Sequence, residues 1–143
     1  MPKRPLKLHI RIPAYAHPRN DWRRAIHQAI QDRQRISPVR YLPNDKLEVE
    51  IRLYLAEGQV GVHDVDNRLK DCLDALQGRA GGSKNRQSLD PIIPNDRQVY
   101  RVVVEKSLPP KQAKGLGHLT IRRFREASEI LKRARKRAGL SAS

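Results

Sequence analysis

The most constraining stretch of the 143-residue chain is Leu47-Glu48-Val49-Glu50-Ile51-Arg52-Leu53-Tyr54-Leu55. Its apolar residues fall at every second position, so one face of an extended strand is apolar and the other polar. Such a strand requires a sheet, with a layer packed against its apolar face. Leu6-Lys7-Leu8-His9-Ile10-Arg11-Ile12 repeats the alternation near the N-terminus. Val99 to Val104 reads as a strand buried on at least one face, and Leu119 and Ile121 suggest a short further one.

Between these runs the period changes to that of a helix. Beyond Pro13 and Pro18, either Asn20 or Asp21 is placed to cap a helix with the stripe Trp22, Ala25, Ile26, Ala29 and Ile30. A second stripe runs through Val65, Leu69, Cys72, Leu73 and Leu76. A third joins Ala127, Ile130, Leu131, Ala134 and Ala138, with Gly139 placed as a C-terminal cap. Trp22 is read as a packing residue, at a dimer interface if not in the core, and Cys72 as core. Pro38 to Asn44 and the region from Gly78 to about Pro94 carry no such period. The latter holds Arg79, Lys84 and Arg86 and is expected to be a mobile basic loop. The order is strand, helix, strand, helix, loop, strand, strand, helix. It implies one α/β or α+β domain over 1–143, with a small mixed sheet flanked by helices.

Composition narrows the function. Lysine and arginine total 30 against 15 acids, a formal net charge of +15. That excess repels itself in the folded state, and a polyanion would relieve it by releasing counterions. No apolar run reaches the ~20 residues of a membrane span, and no signal-peptide core follows the basic N-terminus. No membrane partner and a cytoplasmic location are therefore expected. A single cysteine excludes an internal disulfide and, alone, a zinc site.

In so basic a chain, clustered acids need an explanation. Gly61-Val62-His63-Asp64-Val65-Asp66-Asn67-Arg68-Leu69-Lys70 links the strict strand to the second helix. Asp64 and Asp66 can act together only if Asp64 lies outside the regular helix, while Lys70 falls on the face of Asp66. Two carboxylates converging on a basic surface suit a divalent cation such as Mg²⁺, which takes oxygen ligands and shares them with phosphate. A structural reading stands beside this one. Asp64 caps the helix, Asp66 complements its dipole, and Lys70 is a salt-bridge partner. Asp96, in Pro94-Asn95-Asp96-Arg97-Gln98-Val99, is a further acid just before a strand.

Asp64-Val65-Asp66-Asn67-x-x-Lys70, then Asp74-Ala75-Leu76, then Asn95-Asp96-x-Gln98-Val99 resembles the RusA family of Holliday junction resolvases, over Leu47 to Lys106. The resemblance implies a homodimeric, Mg²⁺-dependent endonuclease of four-way DNA junctions, bacterial or phage-encoded and used at the nucleoid, with Mn²⁺ as a substitute ion. It implies Asp64, Asp66 and Asp96 as metal ligands and Lys70 as catalytic. His63 and Asn67, adjoining the pair, and Asn95, a neutral oxygen beside Asp96, are read from their positions as accessory residues, with a plain polar neighbour as the other reading of His63. The expected phosphate contacts are Arg68, Arg79, Lys84, Arg86, Arg97, Lys132, Arg133 and Lys136. The family often carries two consecutive acids where this chain has Asn95-Asp96, and its loop before them is shorter. The alternative is a non-catalytic, basic nucleic-acid-binding protein.

Overall fold

A computed structural model describes residues 5–15, 18–55, 65–81, 86–87, 89–108, 110, 117–126, 134–137 and 139. Strand β1 (Leu8–Ile12) leads into helix α1 (Arg19–Ile36), then strand β2 (Leu47–Tyr54) and helix α2 (Val65–Leu76). Two short strands follow, β3 (Arg79–Gly81) and β4 (Arg86–Gln87), then β5 (Val99–Ser107) and β6 (Gly117–Arg123). A single 3-10 turn over Asp96–Gln98 introduces β5. The main sheet has the order β1-β6-β2-β5. β6 is antiparallel to both β1 and β2, while β5 is parallel to β2. The strands β1, β2 and β5 thus point the same way, and their carboxyl ends share one end of the molecule.

The alternation in β2 acts as its period requires. Leu47, Val49, Ile51 and Leu53 are buried in the layer beneath the helices, together with Leu8, Ile10, Ile12, Leu119 and Ile121. Removing each such side chain from water contributes about 1.5–3 kcal/mol. The opposite face of the sheet is polar. There Glu48 receives Arg122 and Arg125, with Arg122 Nε 3.2 Å and Arg125 Nε 3.2 Å from its carboxylate oxygens. Glu48 is 1% exposed.

Several expectations are corrected. Helix α1 is capped by Pro18, with no side-chain cap, so Asn20 and Asp21 lie inside its first turn. Its inner face holds Trp22, Arg23, Ile26, His27 and Ile30, whereas Ala25 is exposed. Trp22 lies in the core with its indole N–H donated to the Pro13 carbonyl at 2.9 Å. Strand β5, expected to be buried on at least one face, packs only Val99 and Val104 partly against the core, because it is an edge strand among the described residues, with Tyr100, Val102 and Val103 exposed.

The segment expected to be one mobile loop is partly tied down. β3 and β4 pair, with Arg79 opposite Gln87. Ile92 and Ile93 donate their N–H groups to the Leu76 carbonyl, and Ile93 is 1% exposed. Gly78 ends α2 with φ +74, and a Cβ there would come within 2.2 Å of the Leu89 carbonyl oxygen. Only a residue without a side chain permits that approach. Of the expected last helix, 134–137 are helical, and Gly139 takes the positive φ of a C-cap. Ala127, Ile130, Leu131 and Ala138 lie outside the described residues.

Candidate functional site

Helix α2 carries two unlike faces. Asp66, Asn67 and Lys70 are exposed, and Asp66 and Lys70 are one helical turn apart. Among the described residues neither Asp66 nor Lys70 makes an ion pair, so the salt bridge expected on the structural reading is absent there. Asp64 and His63 lie outside the described residues.

The inner face of α2 is held by a charge cluster that sequence reasoning missed. The carboxylate of Asp71 is fully buried. Its Oδ1 receives Arg19 at 2.8 Å and Arg23 at 2.9 Å, and its Oδ2 lies 3.3 Å from Arg68. Arg23 also pairs with Asp74 at 3.0 Å. These contacts clamp α2 onto α1 and fix which way its outer face points. The signal was the i,i+4 pair Arg19/Arg23 facing the i,i+3 pair Asp71/Asp74, legible only once the helices are known to touch.

Arg68 belongs to this cluster, which corrects its assignment to the DNA-binding surface. It is 6% exposed, with its guanidinium carbon 3.8 Å from the Tyr15 ring centre and 5.8 Å from that of Trp22. A cation over aromatic faces is attracted by their quadrupoles. Helical geometry dictates the difference: Arg68 is two residues from Asp66 and so lies across the helix from it.

Asp96 is exposed and opens the 3-10 turn. Asn95, expected as an accessory ligand, has a structural task. Its side chain accepts the Arg97 N–H at 2.9 Å, and Gln98 returns a bond to its backbone, a reciprocal capping box. Gln98 Nε2 then donates to the carbonyls of Leu42 and Asp45, anchoring the turn.

The two described acids of the expected set stand at opposite ends of the sheet. Arg68 and Asp71, near the start of α2, touch Tyr15 and Arg19, just past the carboxyl end of β1. The far end of α2 is bonded to Ile92 and Ile93, which lead to Asp96 and the amino end of β5. From Asp66 to Leu76 the helix rises about 15 Å, at ~1.5 Å per residue. Asp66 and Asp96 therefore mark the two ends of α2 rather than one cluster in the protomer. Among the described residues no group of three or more His, Cys, Asp and Glu is arranged to hold a metal. The donor chemistry of the expected set, carboxylate oxygens on a basic protein, suits a hard divalent cation.

The expected phosphate contacts divide. Arg79, Arg97 and Lys136 are exposed. Arg86 has its backbone in β4, and Lys84, Lys132 and Arg133 lie outside the described residues. The polar sheet face adds a shallow depression of about 450 Å³ that includes His9, His118, Arg52, Arg101 and Glu105. His9 Nε2 and His118 Nδ1 are 3.0 Å apart. Partial burial and the nearby Arg11 lower the pKa of both rings.

No helix among the described residues is long and apolar enough to cross a membrane. Neither protein-family models nor curated protein sequences give a match to the chain.

Proposed function

We propose that the chain is a metal-dependent endonuclease of branched DNA, resolving four-way junctions as a two-fold homodimer in the cytoplasm, at the nucleoid. The observation that carries the reading is the outer face of α2. Asp66 and Lys70 are both exposed there, unpaired among the described residues, in a protein of net charge +15. A carboxylate kept out of ion pairs on so basic a surface is available to a cation, and the surplus positive charge is available to phosphate.

In this reading Asp64 and Asp66 supply oxygen ligands of Mg²⁺, with Mn²⁺ as a substitute, and Asp96, at the other end of α2 within one protomer, joins them from the second copy of the homodimer. The bound ion supplies Lewis acidity and a water of lowered pKa. Lys70, one turn from Asp66, places its ammonium where charge builds on the phosphate oxygens. Asn67 offers a neutral polar group beside them. Arg79, Lys84, Arg86, Arg97, Lys132, Arg133 and Lys136 hold the backbone without reading bases. A homodimer presents two equivalent sites to a junction whose pseudo-symmetry matches its own.

The competing reading, a basic nucleic-acid-binding protein without catalysis, draws on the buried Asp71 cluster, which shows that acids of α2 also serve the fold. A labelled four-way junction and a linear duplex, each incubated with Mg²⁺ or with EDTA, separate the two. The nuclease makes paired nicks in the junction only, EDTA abolishes them, and Asp66→Asn binds without cutting. Equal, tight binding of both DNAs with no cut in Mg²⁺ establishes the binding protein instead.

A further inference from the structure

We propose that two copies of the chain join through the outer edge of β5, antiparallel about Val103, and that Asp96 of the partner subunit thereby stands at the end of the sheet where Asp66 lies. The pairing is argued from the fold alone. The composite site rests on the nuclease reading above.

The outer edge of β5 has no strand beside it among the described residues. It is nine residues long, against five for β1 at the other edge. Tyr100 is 56% exposed, Val102 36% and Val103 39%. An edge of this length with exposed apolar residues, uncovered by any strand among the described residues, is a template for another strand, and proteins that remain monomeric blunt such edges.

The sequence of β5 fits its own copy in one register. A two-fold axis perpendicular to the sheet keeps each side chain on its own face, so it must pass through a residue rather than between two. An axis through Val102 sets Arg101 against Val103 of the partner subunit. An axis through Val104 sets Val103 against Glu105 of the partner subunit. An axis through Val103 sets Arg101 against Glu105 of the partner subunit, twice by symmetry, and Val102 against Val104 of the partner subunit. Arg101, Val103 and Glu105 share the polar sheet face. Glu105 already pairs with Arg52 on its inner side. Arg101 has no acidic partner among the described residues, and the pairing provides one. Opposite charges facing across antiparallel strands are stabilising, and Val103 meets its own copy on the axis.

This register has a consequence for the site. Antiparallel pairing lays the amino end of one β5 beside the carboxyl end of the other. Asp96 of the partner subunit then falls at the level of Pro110, past the end of β5, at the end of the sheet where α2 begins. The two acids that one protomer keeps apart are brought to one end of the dimer.

Sedimentation gives the first test, with circular dichroism confirming the fold of each protein. The wild type sediments at twice the chain mass. Arg101→Glu and Glu105→Arg each sediment as monomers at the same concentration, and the double variant is again a dimer. A monomeric wild type, or single variants that remain dimeric, overturns the interface. The second test mixes Asp66→Asn with Asp96→Asn. A composite site restores nicking to about a quarter of the wild-type level, since half of the dimers are mixed and each carries one intact site. Wild type that cuts, beside a mixture that does not, overturns the composite site. A dimeric wild type that cuts nothing refutes the nuclease reading and leaves the interface standing.

Discussion

Arg23 and Asp71 meet across the interface of α1 and α2 at 2.9 Å, with 7% and 0% of their side chains exposed. Removing the acid leaves Arg68 buried without its counter-charge and takes from Arg23 the fully buried one of its two acids. Breaking a buried pair from one side costs about 3–5 kcal/mol, whereas a half-exposed partner contributes about 1 kcal/mol or less. Asp71→Ala is therefore expected to lower the urea midpoint severely, and Arg19→Ala, at 42% side-chain exposure, only slightly. Comparable losses for the two would show that the cluster is not organised around Asp71.

Glu48 makes the stability depend on acid. Burial opposes its charge, but the hydrogen bonds from Arg125 and Arg122 outweigh that and hold its pKa below the ordinary 4.5. The folded state thus releases this proton more readily than the unfolded chain. The contribution is complete above 4.5 and is lost as the pH falls through the lowered value. Thermal melts of Glu48→Gln are expected to show a shallower decline on acidification than those of the wild type. Parallel curves would assign the acid sensitivity to other groups.

The end of α2 tolerates nothing larger than glycine. Gly78→Ala forces a side chain onto a left-handed backbone and against the Leu89 carbonyl. The strain alone costs about 1–3 kcal/mol, and the clash adds to it. A denaturant midpoint unchanged by this substitution would mean that the turn after α2 rearranges freely.

DNA binding offers a contrast between two arginines close in sequence to the predicted site. Arg97 is exposed beside Asp96, whereas Arg68 is enclosed by Tyr15, Trp22 and Asp71. On the nuclease reading, Arg97→Ala lowers the slope of log affinity against log salt by about 1, the signature of one lost phosphate contact. Arg68→Ala is expected to leave that slope unchanged and to lower the melting temperature. Anisotropy titrations across a salt series measure both slopes. A reduced slope for Arg68→Ala, at undiminished stability, would restore that residue to the DNA-binding surface.

What the sequence conveyed and what it concealed follow from the range of each interaction. Leu47 to Tyr54 and the stripe of α2 were legible because a strand or helix with one apolar face repeats that face locally. Arg23 and His27 were hidden because their partners, Asp71 and the Asp90 carbonyl, come from distant parts of the chain. A charged residue reads as a surface residue until its counter-charge is known, and this misplaced Arg68. The valines of β5 spelled a strand but not its neighbours, so its edge position was unreadable. Asp66 and Asp96 looked like one cluster because a motif records order along the chain and not the end of the sheet at which each residue arrives.

The position of β6 governs how the molecule can assemble. It lies between β1 and β2, and its His118 meets His9 across 109 residues of chain. Within the main sheet, no two of the other strands except β2 and β5 can pair until it arrives. A chain growing from the ribosome leaves β1 without a strand partner until β6 has emerged, so the main sheet closes late. Such long-range closure slows folding. The rate of folding is thus set in part by the strand order, through the long stretch of chain between β1 and its partner.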